Sequence, residues 1–189
     1  MINFKKEENY NYLIVLFLIL MGISLRLFPY LPNFSPIAAI ALFGGVYLSK
    51  KIALVIPLVI MVVSDIFIGY YEVKLMIFVY GCFFSAVIMG FWIKKHKSWR
   101  TILGSSILSA VIFFLVTNFA VWIFTPWYEK TSAGLIQCYL LAIPFFKNNL
   151  FGNLFYMISL FGSYEIITAL VRKKIKMARA ESLPMNLQS

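Results

Sequence analysis

The sequence predicts an all-α, polytopic membrane protein of six transmembrane helices, with the N and C termini both in the cytoplasm. Composition is the first reason. Hydrophobic residues make up 62% of the chain and charged residues 13%, and the mean hydropathy is +0.88. Soluble domains keep about half their residues apolar and about a quarter charged. A soluble domain of 189 residues would have to cover its surface with polar groups that this chain lacks. One integral membrane domain is therefore expected, with no separate soluble catalytic domain. The placement of the seventeen Lys and Arg residues is the second reason. Thirteen of them fall between alternate apolar runs: Lys5, Lys6, Lys50, Lys51, Lys94, Lys95, Lys97, Arg100, Arg172, Lys173, Lys174, Lys176 and Arg179. Only Arg26, Lys74, Lys130 and Lys147 fall on the other side. Basic loops resist translocation, so the crowded side is the cytoplasmic one. The net charge of +10 then reports topology, and no nucleic-acid partner is implied.

The elements follow in order. An N-terminal cytoplasmic segment, 1–11, opens with an amphipathic stretch (Lys5, Lys6, Glu7, Glu8) and leads into a first span from about Tyr12 to Leu27. No small-residue cleavage site follows this run. Arg26 and prolines come instead, so it reads as a retained helix rather than a signal peptide. The second span, Pro36 to Leu48, is short for a bilayer that needs about twenty residues, and should be tilted or buried in protein. Lys50 and Lys51 turn into a third span, Ile52 to Tyr70, which contains Pro57. The fourth runs from Val73 to Ile93, a basic loop Lys94–Arg100 follows, and the fifth is Thr101 to Phe124. The sixth, Leu150 to Val171, closes a transmembrane domain of 12–171. A tail of 172–189 begins basic and turns polar and disordered. No internal repeat is visible, which argues against the inverted-repeat plan of many secondary transporters.

Two connections on the outer side are long. Phe28–Ser35 (FPYLPNFS) is a stiff, apolar, proline-bearing segment suited to covering something. Thr125–Asn149 carries Trp127 and Tyr128 and then Gly134–Phe146, which reads as an interfacial or re-entrant helix stopped by Pro144. Together they suggest a lid over an intramembrane cavity.

Polar side chains within hydrocarbon are costly unless satisfied, so each is a functional candidate. They cluster in the outer half. Arg26 closes the first span, Asn33 lies in the lid, Asp65 sits about one turn below the outer end of the third, and Tyr80 two turns into the fourth. Asn118 and Trp122 are four apart on one face of the fifth. Asn149, Asn153 and Tyr156 open the sixth. Gathered around one pocket, they would suit a small polar or amphipathic molecule with a planar part. Arg26 or Asp65 would meet charge, Asn33, Asn118 and Asn153 would orient, and Tyr80, Trp122 and Tyr156 would stack.

Structural roles compete with these. Arg26 and Asp65 can form an ion pair locking the first and third helices, and Asn118 and Asn153 can act as interhelical glue. Trp122, Trp127 and Tyr128 lie where an aromatic belt is expected, and Glu165 can pair with the basic tail. Small residues at Ala38, Ala39, Ala41, Gly44 and Gly45, and at Ser105, Ser106, Ser109 and Ala110, allow close helix approach, within the bundle or to another membrane protein. Cys82 and Cys138 show no metal or redox spacing and read as buried or lipid-facing thiols. The single histidine, His96, sits in a basic loop, and no Walker, HExxH or Ser–His arrangement exists. No metal site, cofactor or enzymatic activity is expected.

The segment Arg26–Gly45 (RLFPYLPNFSPIAAIALFGG), with Pro57, Ser64–Asp65 and Gly69, resembles a bacterial domain-of-unknown-function family of small membrane proteins. So do Thr117–Trp122 (TNFAVW), Tyr128, Gly134–Leu135, Cys138–Tyr139 and Ile143–Asn148 (IPFFKN), over about residues 10–170. That family is similar to the substrate-binding S components of energy-coupling factor (ECF) vitamin transporters. They share a first helix, a Pro- and Phe-rich outer loop and a Pro-initiated helix with small residues and Gly-Gly. The resemblance implies an S-component-like six-helix bundle in the bacterial cytoplasmic (inner) membrane. It would capture a vitamin-like nutrient from outside, with Pro32–Ser35 as the lid. It also implies a transmembrane coupling subunit with ATPases as partner. The first helix lacks the Ala-xxx-Ala motif that docks that subunit, so a solitary transporter or a different partner stays open. The rival reading is a structural or assembly membrane protein docking a partner through its small-residue helix faces.

Overall fold

The computed structural model describes residues 4–28 and 31–181, with side chains over 13–28, 31–175 and 177. Six helices occupy the described residues, and no strand is found among them: α1 (Phe4–Leu27), α2 (Ile37–Tyr47), α3 (Lys50–Ile68), α4 (Val73–Lys95), α5 (Trp99–Phe124) and α6 (Ser132–Glu181). Helices α3, α4, α5 and α6 are long and apolar enough to cross a membrane, the mark of a membrane protein. The apolar helices Leu13–Leu27 and Ile37–Tyr47 are shorter.

Local chemistry sets the ends. Ser98 opens α5 with a capping box: its hydroxyl accepts from the Thr101 amide (3.1 Å) and its own amide donates to the Thr101 hydroxyl (3.0 Å). Gly69 terminates α3 at φ +104°, a conformation that side chains resist. Proline is tolerated inside α3 at Pro57 and inside α6 at Pro144.

Helix α2 is the centre of the bundle and touches all five other helices. Ten of its eleven residues are buried. At ~1.5 Å per residue it covers only about 16 Å, so protein, not lipid, surrounds it. Its closest neighbour is α4. A methyl group on Gly45 would stand 2.5 Å from the Val87 carbonyl oxygen and 2.8 Å from Gly90 Cα, so glycine is required on both sides. Ser105, Ser106, Ser109 and Ala110 of α5 are likewise buried within the bundle. Both cysteines are free and buried.

The largest departure from the sequence reading is α6. Gly134–Phe146, expected as a separate re-entrant or interfacial helix halted by Pro144, is instead the first part of one continuous 50-residue helix. Proline removes a single backbone hydrogen bond, here the one to residue 140, and neighbouring helices can hold the remainder straight. This stretch runs antiparallel to α5: the Tyr139 hydroxyl donates to the Leu115 carbonyl (2.7 Å), and the Phe146 ring lies 4.7 Å from that of Phe114. Farther along, Glu165 meets Lys97 just before α5, and α6 continues through Arg172 to Glu181. Residues 182–189, read as a polar disordered end, lie outside the described residues, as do the side chains of Lys5, Lys6, Glu7 and Glu8.

Candidate functional site

The predicted polar residues do not converge on one point; they separate into two groups with different chemistry. In the first, Arg26 in the last turn of α1 reaches across to α3. Its guanidinium stands 2.6 Å from Asp65 Oδ1 and donates to the Met61 carbonyl (3.2 Å) and to the Ser64 hydroxyl. The Oδ1 contact is one of charge with charge, off the line of a hydrogen bond, while Oδ2 accepts from the Tyr80 hydroxyl on α4 at 2.5 Å. Asp65 is 0% exposed and Arg26 17%. Two opposite charges at this depth offset each other's desolvation only in such close, multiply bonded geometry. Beside them, in the α3–α4 turn, burial and then the Asp65 carboxylate push the Tyr71 phenol up to about 12, with Arg26 opposing, so it stays neutral. Helices α1, α3 and α4 are thereby tied together at one level.

The second group lines a cavity of about 400 Å³ between α4, α5, α6 and the Leu31–Ser35 segment. Its polar residues are Asn33, Thr117, Asn118 and Asn149. Aromatic walls come from Phe113, Phe114, Phe145 and Phe146, with Trp127 and Tyr128 from the α5–α6 connection. No Lys, Arg, Asp or Glu among the described residues lines it. Asn118 donates through Nδ2 to the Phe114 carbonyl (2.7 Å), and Thr117 donates to the Phe113 carbonyl (2.7 Å). The Thr117 hydroxyl proton and one Asn118 N–H are thus occupied, while the second Asn118 N–H and the acceptor lone pairs remain. Asn149, 7% exposed, has an Oδ1 with no partner among the described residues. One turn on, Asn153 is fully buried. Its Nδ2 donates weakly to Ser109 (3.3 Å), and its Oδ1, like the Ser106 hydroxyl, has no partner among the described residues. A buried acceptor left bare costs about 1–3 kcal/mol, a cost each of these atoms carries unless a water or ligand meets it.

The segment expected as a lid is held onto α6. Asn148 Nδ2 donates to the Pro32 carbonyl (3.0 Å), and the Phe34 ring packs 5.4 Å from Tyr156. A methyl on Gly152 would meet Phe34 Cα at 3.1 Å, so the backbone approach depends on that glycine. Asn33 adopts φ +61°, a left-handed turn that asparagine tolerates. Pro29 and Tyr30 of this segment lie outside the described residues.

Among the candidates, Arg26, Asp65 and Tyr80 come together, and Asn33 and Asn118 line the cavity. Asn153 sits beneath Asn149 without lining it, Tyr156 lies under Phe34, and Trp122 is elsewhere: its indole N–H donates to the Glu129 carbonyl (2.8 Å) in the α5–α6 connection. Sequence reasoning named Thr117 and Ser64 only within the stretches that carry the family resemblance and not as site residues, and it gave Asn149 no role beside Asn153.

No curated protein and no solved structure matches the chain. A family model does, over residues 6–177, and its description is a family of unknown function, DUF6580. The match takes in all the helices that build the two polar groups, and the chain belongs to the DUF6580 family.

Proposed function

We propose that this protein is a membrane-embedded binding protein for a small, neutral molecule with a planar part and both hydrogen-bond donors and acceptors, taken up as a vitamin-like nutrient in the manner of an S component. The observation that carries the reading is the aromatic-walled cavity of about 400 Å³ onto which Asn33, Asn118 and Asn149 converge with no charged residue among the described lining. The Asn33, Asn118 and Asn149 amides each offer free N–H as well as carbonyl oxygen, so the complement of that cavity is a ligand that both donates and accepts. Phenylalanine and tyrosine walls favour a flat ring system. Absence of lining charge among the described residues disfavours a charged ligand, which would enter without a counter-charge. The positive-inside arrangement supports an orientation with both termini cytoplasmic in a bacterial inner membrane and the cavity open to the outer face. A coupling subunit with ATPases remains the partner implied by S-component likeness. The assembly reading draws less support, because the small residues of α2 and α5 it would offer to a partner are buried within the bundle.

Native mass spectrometry of gently purified protein from its own host tests this. A retained small molecule that disappears in Asn149→Leu and Asn118→Ala is the expected result. A polypeptide partner at fixed stoichiometry, with no small molecule in any preparation, would overturn it in favour of assembly.

A further inference from the structure

A second cavity, of about 550 Å³, lies at the other end of the bundle, between the α2–α3 turn and the last turn of α4. Lys50, Lys94 and Lys95 line it, all exposed, and none has an acidic partner among the described residues. Nearby Lys97 differs: it is paired with Glu165 and lies 4.7 Å from the centre of the Tyr47 ring. Three uncompensated cations thus converge on one concavity while their neighbour is neutralised. Ser49 adds a hydroxyl that begins α3 without capping it and makes no hydrogen bond among the described residues. The remaining wall is apolar: Leu48, Phe91 and Trp92.

We propose that this cavity binds one anionic phospholipid. Its phosphate lies among Lys50, Lys94 and Lys95, and its glycerol and upper acyl carbons lie along Leu48, Phe91 and Trp92. Charge complementarity demands an anion, and the α3 N-terminus adds amide dipoles of the same sign. The apolar wall selects the lipid over a free phosphate: a hydrated inorganic ion gains nothing from it, whereas a lipid removes that surface from water. Trp92, half exposed, has the amphipathic ring found at headgroup level.

The full chain in mild detergent is mixed with dioleoylphosphatidylglycerol, or with dioleoylphosphatidylcholine of the same chains, and retained lipid is counted by native mass spectrometry. One phosphatidylglycerol per chain is expected, and phosphatidylcholine only far more weakly. Lys50→Gln/Lys94→Gln/Lys95→Gln should weaken phosphatidylglycerol retention about a hundredfold, three charges each worth about fivefold. The matched Arg172→Gln/Lys173→Gln/Lys174→Gln, basic residues on α6 that do not line the cavity, should leave it unchanged. Ser49→Trp, which fills the cavity without altering charge, should also displace the lipid and covers the case in which the triple lysine variant inserts poorly. Equal retention of both lipids, equal loss in the two triple variants, or lipid kept by Ser49→Trp would each overturn the proposal. Displacement of phosphatidylglycerol by excess inorganic phosphate would reassign the site to the free ion.

Discussion

Arg26 and Asp65 on α1 and α3 neutralise each other by direct charge contact, with Tyr80 and Ser64 hydrogen-bonded beside them, whereas the side-chain oxygens of Asn118 and Asn149 on α5 and α6 meet neither a counter-charge nor a donor among the described residues. Both groups are buried polar clusters in a largely apolar bundle, and both are costly to bury. In the first the cost is offset internally, and the result is a tie between three helices. In the second it is left standing, and the result is a cavity. The difference separates two uses of polarity that depth in a membrane cannot distinguish: closure and reception.

The comparison is broken most sharply by removing half of the ion pair. Arg26→Met leaves a carboxylate buried without its counter-charge and should lower stability by about 3–5 kcal/mol. Denaturation in mixed micelles reads this, and the double variant Arg26→Met/Asp65→Leu should regain most of the loss. A single variant as stable as wild type would mean that the pair ties nothing. Gly45→Ala sharpens the closed side further. Its methyl would press on Val87 and Gly90, with an expected loss of about 1–3 kcal/mol. Gly104→Ala has nothing within 4 Å and should gain about 0.5–1 kcal/mol by the same measurement. Equal effects at the two glycines would deny that α2 and α4 are in obligatory close contact.

On the receptive side the sign reverses. Asn149→Leu removes a bare acceptor and fills part of the cavity, so the empty protein should become more stable by about 1 kcal/mol while losing its retained ligand. Stability falling together with binding would make Asn149 a structural residue instead. An effect as small as that of Gly104→Ala, and opposite in sign, is expected at Trp122→Phe, which breaks the bond to the Glu129 carbonyl. About 0.5–1 kcal/mol should be lost, with ligand retention unchanged in the same native mass spectra.

Much of the architecture was legible in the chain. Apolar runs gave α3, α4 and α5 to within two residues, and of the two readings that the brevity of Pro36–Leu48 left open, tilt or burial in protein, the helix shows burial. Pro144 misled because its effect on a helix is local, one lost hydrogen bond, while the decision to continue is made by packing against α5. The site divided for a similar reason. Spacing reports depth and relative angle on one helix, but not which neighbour that helix turns toward. Val79 and Tyr80 are adjacent in sequence, yet Val79 lines the cavity and Tyr80 reaches Asp65. Asn118 and Trp122 share a face, yet the longer side chain reaches the α5–α6 connection.

The burial of α2 has a consequence for how the protein is made. An eleven-residue helix is about half as long as the ~30 Å hydrocarbon core, and it needs Gly90 against Gly45 to be enclosed. Gly90 is synthesised forty-five residues after Gly45 (90 − 45), a delay of roughly two to nine seconds at ~5–20 residues per second. Throughout that interval α2 lacks its principal neighbour, so the insertion machinery must shelter it or hold it back as a hairpin with α3. Co-translational insertion, rather than the finished bundle, therefore meets its most demanding moment at the helix that is best protected once the protein is complete.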